Sequence, residues 1–397
     1  MVASLIAVAV LASPMRSIQE FGVLPSNSAA VNAVNLQRAI NWASTNGAAL
    51  WVEPGPEPYK VDGGIELLPN VSLVGAQGPT GRGTKSPTKP QPIGSVFEIH
   101  DAAKPFITVE SATRIQGIQF WYPDQTLTDA SKVIEYPPTI KVSDKIAQGV
   151  TLRDLTFYGE YFAMDFRAQG VPCEQILIED CYGYPLSGQF IAISRCYDVP
   201  RILNTHVNPS NMRLFKGSFS KAVIDSVVKR KTYTYWIDKT DNAQLTGVFT
   251  FGVYGGIYLG PATYGQLTSF NFDCVTVGVM KRGDNSFNRN WQIAQGSIIA
   301  NTGASVSEVH PIVVDGMGHL AVSNVESFSG PNGALTTLGR SQDYLLVRGN
   351  AKCTVSLVGC RMRNYVASSP LTIDDPNATV RVVACFDKNE KLFEYGG

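Results

Sequence analysis

VTLRDLTFYG, residues 150–159, sets the problem from which the fold follows. Side chains alternate along a strand, so Val150 and Leu152 share one face. Leu155 and Phe157 share a face with each other, but Asp154 breaks the count between the two pairs. All four apolar residues can enter one interior only if the chain bends at Asp154.

The same spelling recurs down the chain. ILIEDCYG bends at Asp180, PRILNTHV at Asn204, QLTSFNFDC at Asn271 and HLAVSNVES at Asn324. Looser copies centre on Gly117, Gly247, Gln295, Gly359 and Ala384. The commonest interval is about 25 residues, a period that signals a solenoid. Between copies lie further short apolar runs: IAIS (191–194), GIYL (256–259), PIVV (311–314), LLVR (345–348) and LTID (371–374). Three short strands per period make one coil. The sequence therefore predicts an all-β chain, a right-handed parallel β-helix of about ten coils.

A one-residue bend between strands calls for a left-handed backbone, which Gly, Asn and Asp tolerate best. Asp154 and Asp180 then read as corner pieces whose side chains hydrogen-bond to neighbouring coils. The competing reading makes them catalytic carboxylates.

Composition bounds the rest. The 397 residues are 44% hydrophobic and only 17% charged, with 36 Gly, which suits many strands and tight turns. Lys plus Arg and Asp plus Glu both number 33, so no net field favours nucleic acid. Seven cysteines leave at least one unpaired, and no zinc-type spacing is present. Cys181, Cys360 and Cys385 follow corner positions, so their thiols should point inward. Residues 2–13 are apolar but too few to span a bilayer. They suit either a signal peptide or a retained strand that adds to an edge or to a partner chain, giving a homo-oligomer or fibre.

Residues 27–44 read as an amphipathic helix capped by Asn27 or Ser28, with Val31, Val34, Ile40 and Trp42 on the apolar side. Asn46-Gly47 stops it. Such a helix covers the open end of a β-helix, whose unpaired edge would otherwise recruit other chains. The expected organisation is an N-terminal segment (1–17), a cap with the first coil (18–76) and the β-helix (77–397).

The opening FGVLPSNSAAVNAVNLQRAINWASTNGAALWVEPGPEPYKV with LLPNVSLVGA resembles that of pectate-lyase-superfamily β-helix proteins. That group includes polygalacturonase-like glycoside hydrolases, polysaccharide lyases and phage tailspikes. FWYPDQ (120–125), EYPPTI (135–140), CYGYPLSG (181–188) and RILNTHVNP (201–209) are similar to bacterial pectate-lyase-like members. The resemblance covers roughly residues 18–210. It implies the fold strongly and the activity weakly, because one fold hosts many functions. Pro25-Ser26-Asn27-Ser28 replaces the usual Gly-Asp-Gly and paired Asp of the opening. The polygalacturonase motifs Asn-Thr-Asp, Gly-His-Gly and Arg-Ile-Lys are absent, so that mechanism does not carry over.

Polar and aromatic residues concentrate between positions 120 and 210. Glycosidic hydrolysis needs two carboxylates, about 5 Å apart for retention and about 6.5–9.5 Å apart for inversion. Asp165 and Asp198 form the expected catalytic pair, with Asp124 as substitute and His206 as a further acid–base group. Trp121, Tyr122, Gln125, Tyr136, Tyr184 and Arg201 are the expected substrate-binding residues, through ring stacking and hydrogen bonds to hydroxyls. The bland alternative leaves Asp165 solvated and pairs Asp198 with Arg201 in a turn. No phosphate loop, cofactor motif or calcium-type cluster of acids is present, so neither cofactor nor metal is expected. The reading is an extracellular, carbohydrate-active β-helix, a glycoside hydrolase before a lyase, acting on a polysaccharide or oligosaccharide. Its rival is a non-catalytic fibre or tailspike-like carbohydrate binder.

Overall fold

The computed structural model describes residues 15–76, 94–212, 220–283, 290–301, 308–328 and 341–396. The apolar run at residues 2–13 lies outside them. Parallel strands dominate. One sheet has 23 strands, a second has 11 and a third has 3. From Ile107 onward, each turn of the chain contributes one strand to the eleven-strand sheet and then runs along the large sheet through a one-residue corner. Connections between parallel strands favour the right hand, which gives the winding its sense.

The corner column is the expected feature, with one correction. Asp154 (φ 52°), Asp180 (54°), Asn204 (47°), Asn324 (51°) and Ala384 (51°) are all left-handed. Gly117, Gly247, Gln295 and Gly359 are left-handed too. Register aligns the residues before the corner on successive rungs, Arg153 with Glu179 and Glu179 with Leu203. The corner amides follow the same stack, Asp154 N donating to Glu179 O and Asp180 N to Leu203 O. Asn204 Nδ2 donates to Asp180 Oδ1 at 2.7 Å, so side chains also link the rungs.

Asn271 is not in that column. Ser269 takes the left-handed position (φ 53°), and Asn271 sits two residues later in a strand. Composition favours Asn over Ser at such a bend. The burial of Leu267 and Phe270 on either side outweighs that local preference.

Inside, register builds continuous columns. Leu152, Ile178, Ile202, Leu245 and Leu267 are successive partners on the strands before the corner, and all are buried. Each such side chain contributes about 1.5–3 kcal/mol by leaving water. Phe97, Phe120 and Phe157 stack on the strands after it, with centroids 6.4 and 5.1 Å apart. Cys181, Cys360 and Cys385 are buried, as expected from their positions after corners.

Helix α1 (Ala29–Asn46) starts at Ser28, whose side chain accepts from Val31 N, and ends at the left-handed Gly47. Its buried face is Asn32, Leu36, Ala39, Ile40 and Ala43. Val31 and Val34, expected on that face, are 48% and 70% exposed. The helix is phased so that amide side chains reach the first rung. Gln37 exchanges two hydrogen bonds with the backbone of Glu66, at 2.9 and 3.0 Å, and Asn32 donates to Lys60 O. Those amides satisfy edge groups that a hydrophobic face alone would leave bare. At the other end, Leu392–Gly396 pairs antiparallel with the last long strand.

Candidate functional site

The outer face of the eleven-strand sheet presents a ladder of chemistry. Its members are fixed by register: Lys141 pairs with Asp165, Asp165 with Ala192, Ala192 with Trp236, and Trp236 with Tyr258. Trp236 and Tyr258 lie 4.0 Å apart with rings 25° from parallel. Tyr258 also meets Tyr233, which stands edge-on to Tyr254. Gly255 makes this possible, because a Cβ there would lie 2.1 Å from the Tyr233 ring. In YTYWID (233–238) and GGIYL (255–259) the outward aromatics alternate with the buried Ile237 and Ile257.

A charged ladder runs two residues further along the same strands. Arg167 aligns with Ser194 and Ser194 with Asp238; further on, Arg282, Asp315 and Arg348 are successive partners. Asp315 Oδ2 accepts from Arg282 at 3.1 Å and from Arg348 at 3.3 Å. Asp238 Oδ2 accepts from Ser194 at 3.3 Å, while its enclosed Oδ1 has no partner among the described residues. Burial raises the proton affinity of Asp238 above its ordinary value, against the opposing pull of Lys239 and Ser194. At the start of the same strands, His310 Nδ1 lies 2.7 Å from Asp343 Oδ1.

The expected site residues fall into several regions. Asp165 does face outward on this sheet, 9% exposed and gripped by Arg167 Nε and Nη2, both at 2.8 Å. It is therefore not free in solvent. Asp198 is elsewhere. It occupies a left-handed corner (φ 55°) beside the three-strand sheet and accepts from Gln175 Nε2 at 2.5 Å. Gln175 is itself the corner of the rung before, so Asp165 and Asp198 point from different sides of the coil. The expected pair does not form. Asp124 lies at the edge of the post-corner strands and bonds His100 Nδ1 at 2.5 Å, with Glu98 on His100 Nε2 at 2.7 Å. Burial opposes the charge on His100, but the two carboxylates outweigh it and raise its proton affinity.

The aromatic expectations fare differently one by one. Tyr122, Tyr136 and Tyr184 are 2% exposed and belong to the core. Tyr122 bonds Thr139 at 2.7 Å and packs on Tyr136, and Tyr184 stacks on Tyr158. Gln125 is buried and holds both backbone groups of Ile134, at 2.8 and 2.9 Å. Trp121 is half-buried between Glu98 and Tyr158. Arg201 is exposed on the strands before the corner, away from the eleven-strand face. His206 does face outward, on the strands after the corner, stacked 4.3 Å from Phe249. The groove expected on the early coils is therefore not assembled.

No family model matches the chain, and no curated protein matches its sequence. Solved structures do match in shape. The Agl-KA catalytic domain aligns over 96% of this chain and 70% of its own, at 9% identity and a TM-score of 0.55. DFA-IIIase from Arthrobacter chlorophenolicus A6, in complex with DFA-III, aligns over 96% of this chain and 97% of its own, at 11% identity and 0.54. The enzymatically active domain of tailspike protein 2 from bacteriophage CBA120 aligns at 12% identity and 0.50, over 92% of this chain. This chain spans 52% of that tailspike chain. The likeness is one of fold: the chain is a right-handed parallel β-helix.

Proposed function

We propose that the protein is an extracellular, carbohydrate-active β-helix that binds a polysaccharide along the outer face of its eleven-strand sheet and hydrolyses it there. The Trp236–Tyr258 ring pair carries the reading. Flat aromatic faces bordered by carboxylates and guanidinium groups suit the apolar faces and hydroxyls of sugars. The three solved structures compared above share only the fold with this chain, but one is a catalytic domain, one is an enzymatically active domain and one is bound to DFA-III.

Asp238 is the proposed proton donor, because it is half-buried on this outer face and burial raises its proton affinity. Asp165 is the proposed second carboxylate. It lies two rungs and two residues from Asp238, about 12 Å between backbones, so the two side chains span the wider, inverting geometry more readily than the retaining one. Asp315 is three rungs away, about 14 Å, and its guanidinium partners suit binding. The rival reading, a non-catalytic carbohydrate-binding fibre, keeps the aromatic platform and drops the acid pair.

The test is a panel of polysaccharides assayed for new reducing ends and for unsaturated products. Reducing ends lost in Asp238→Asn and Asp165→Asn support hydrolysis. Unsaturated products turn the reading to a lyase. Binding without products, weakened by Trp236→Ala, supports the fibre. No binding and no products overturn the proposal.

A further inference from the structure

A second surface has the same chemical character and lies around the coil from the first. The strands after the corner carry an outward ladder in which Tyr182 pairs with His206, His206 with Phe249 and Phe249 with Asn271. The ladder continues through Ser297, Glu326 and Arg361. Six rung steps make it about 29 Å long. Its first three members are half-buried rings, with centroids 6.0 Å apart between Tyr182 and His206 and 4.3 Å between His206 and Phe249. Its later members border a cavity of about 450 Å³, whose other walls include the corner amides Gln295 and Asn324. Gly296 and Gly359 let the cavity walls pack closely. A Cβ on Gly359 would come 2.6 Å from Asn324 Oδ1, and one on Gly296 would strike the Phe270 ring.

We propose that this corner groove is a second carbohydrate-binding site, for a hydroxyl-rich, uncharged glycan chain lying along the helix axis. It rests on the reading of the protein as carbohydrate-active. The ring ladder supplies stacking faces at rung spacing, and the amides and Ser297 hydroxyl supply both donors and acceptors. The charges argue against a polyanion. Glu326 and Arg361 both line the cavity, so their charges offset each other, and Arg361 is already engaged by Glu390 at 3.3 Å. At the ring end, burial first and then the charges of Asp180 and Asp154 raise the proton affinity of Tyr182, and Arg153 nearby is paired with Asp154, Glu179 and Asp180. A second grip on a long chain raises its local concentration at the eleven-strand face without any contact to the reacting bond.

Affinity electrophoresis in gels containing β-glucan, galactomannan, xylan or polygalacturonate tests this with the full chain. Wild type, His206→Ala/Phe249→Ala and Trp236→Ala are run together, with Ser297→Trp as a variant that fills the groove. Thermal melts check that each is folded. The expectation is retardation by an uncharged polymer that both groove variants weaken by about tenfold, the loss expected for one or two stacked rings. Groove variants that run like wild type while Trp236→Ala is released overturn the corner groove and leave the first site standing. Weakened groove variants with an unchanged Trp236→Ala support the groove and remove the first site. Retardation by polygalacturonate alone overturns the uncharged ligand, and no retardation by any polymer overturns both sites.

Discussion

Glu160 gives the sharpest prediction. It follows the strand Thr156–Tyr158 and is fully buried. Oε1 accepts from Tyr184 N at 2.8 Å, but Oε2 is enclosed with no partner among the described residues. Burial pushes its carboxyl up to about 8, against the pull of backbone hydrogen bonds from Glu160 and Tyr184. In the unfolded chain the group ionises near 4.5. A raised folded value has a definite sign. Below pH 4.5 both states hold the proton and nothing is lost. From there to pH 8 the unfolded state gains by ionising while the folded state does not, and above pH 8 the loss is constant. The slope is about 1.4 kcal/mol per pH unit, or about 3 kcal/mol between pH 5 and pH 7. Glu160→Gln keeps the acceptor for Tyr184 N and cannot ionise. Urea denaturation of both proteins at pH 5, 6, 7 and 8 reads the difference, and other titrating groups cancel in the comparison. The variant should gain about 3 kcal/mol on wild type between pH 5 and pH 7. Parallel stability profiles across that window refute the account of Glu160 as a buried, protonated acid.

Other expectations follow from single contacts. Asn204→Val puts a β-branched residue at φ 47° and removes the bond to Asp180, so it should cost about 1–3 kcal/mol in denaturation experiments. Asn271→Val, at an ordinary strand position, should cost less than about 1 kcal/mol, and equal losses contradict the corner assignment. Arg167→Ala leaves the nearly buried Asp165 carboxylate without its two guanidinium hydrogen bonds, and should cost about 2 kcal/mol in urea denaturation at pH 7. Six of the seven thiols are buried, and the Cys173 thiol together with burial pushes Cys196 up. A disulfide reagent should therefore label at most Cys274 rapidly in the native state and all seven in denaturant. Several fast thiols in the folded protein speak against this core.

The corner residues were readable because backbone chemistry at one position is a local property. Asp154, Asp180, Asn204 and Asn324 announce a left-handed bend within a few letters of sequence. Asn271 misled because Ser269, a poorer corner residue by composition, was chosen by the burial of its neighbours. The helix phase failed similarly. Val31 and Val34 look apolar in one dimension, but Gln37 and Asn32 were needed to meet backbone groups at the first rung.

By itself the sequence determined the winding: the repeat, the corner chemistry and the inward alternation all act within one coil of about 25 residues. It also placed Asp165 and His206 on outer faces, since alternation against buried neighbours is local too. Only the tertiary structure decided which outer residues meet. Trp236 and Tyr258 become neighbours, and Asp165 and Asp198 become strangers, through the register between rungs and the side of the coil each strand occupies. The corners stay aligned even where the chain between them lengthens, as from Asn204 to Gly247. Contact between coils depends on the path of the whole chain, and no short stretch of sequence encodes it.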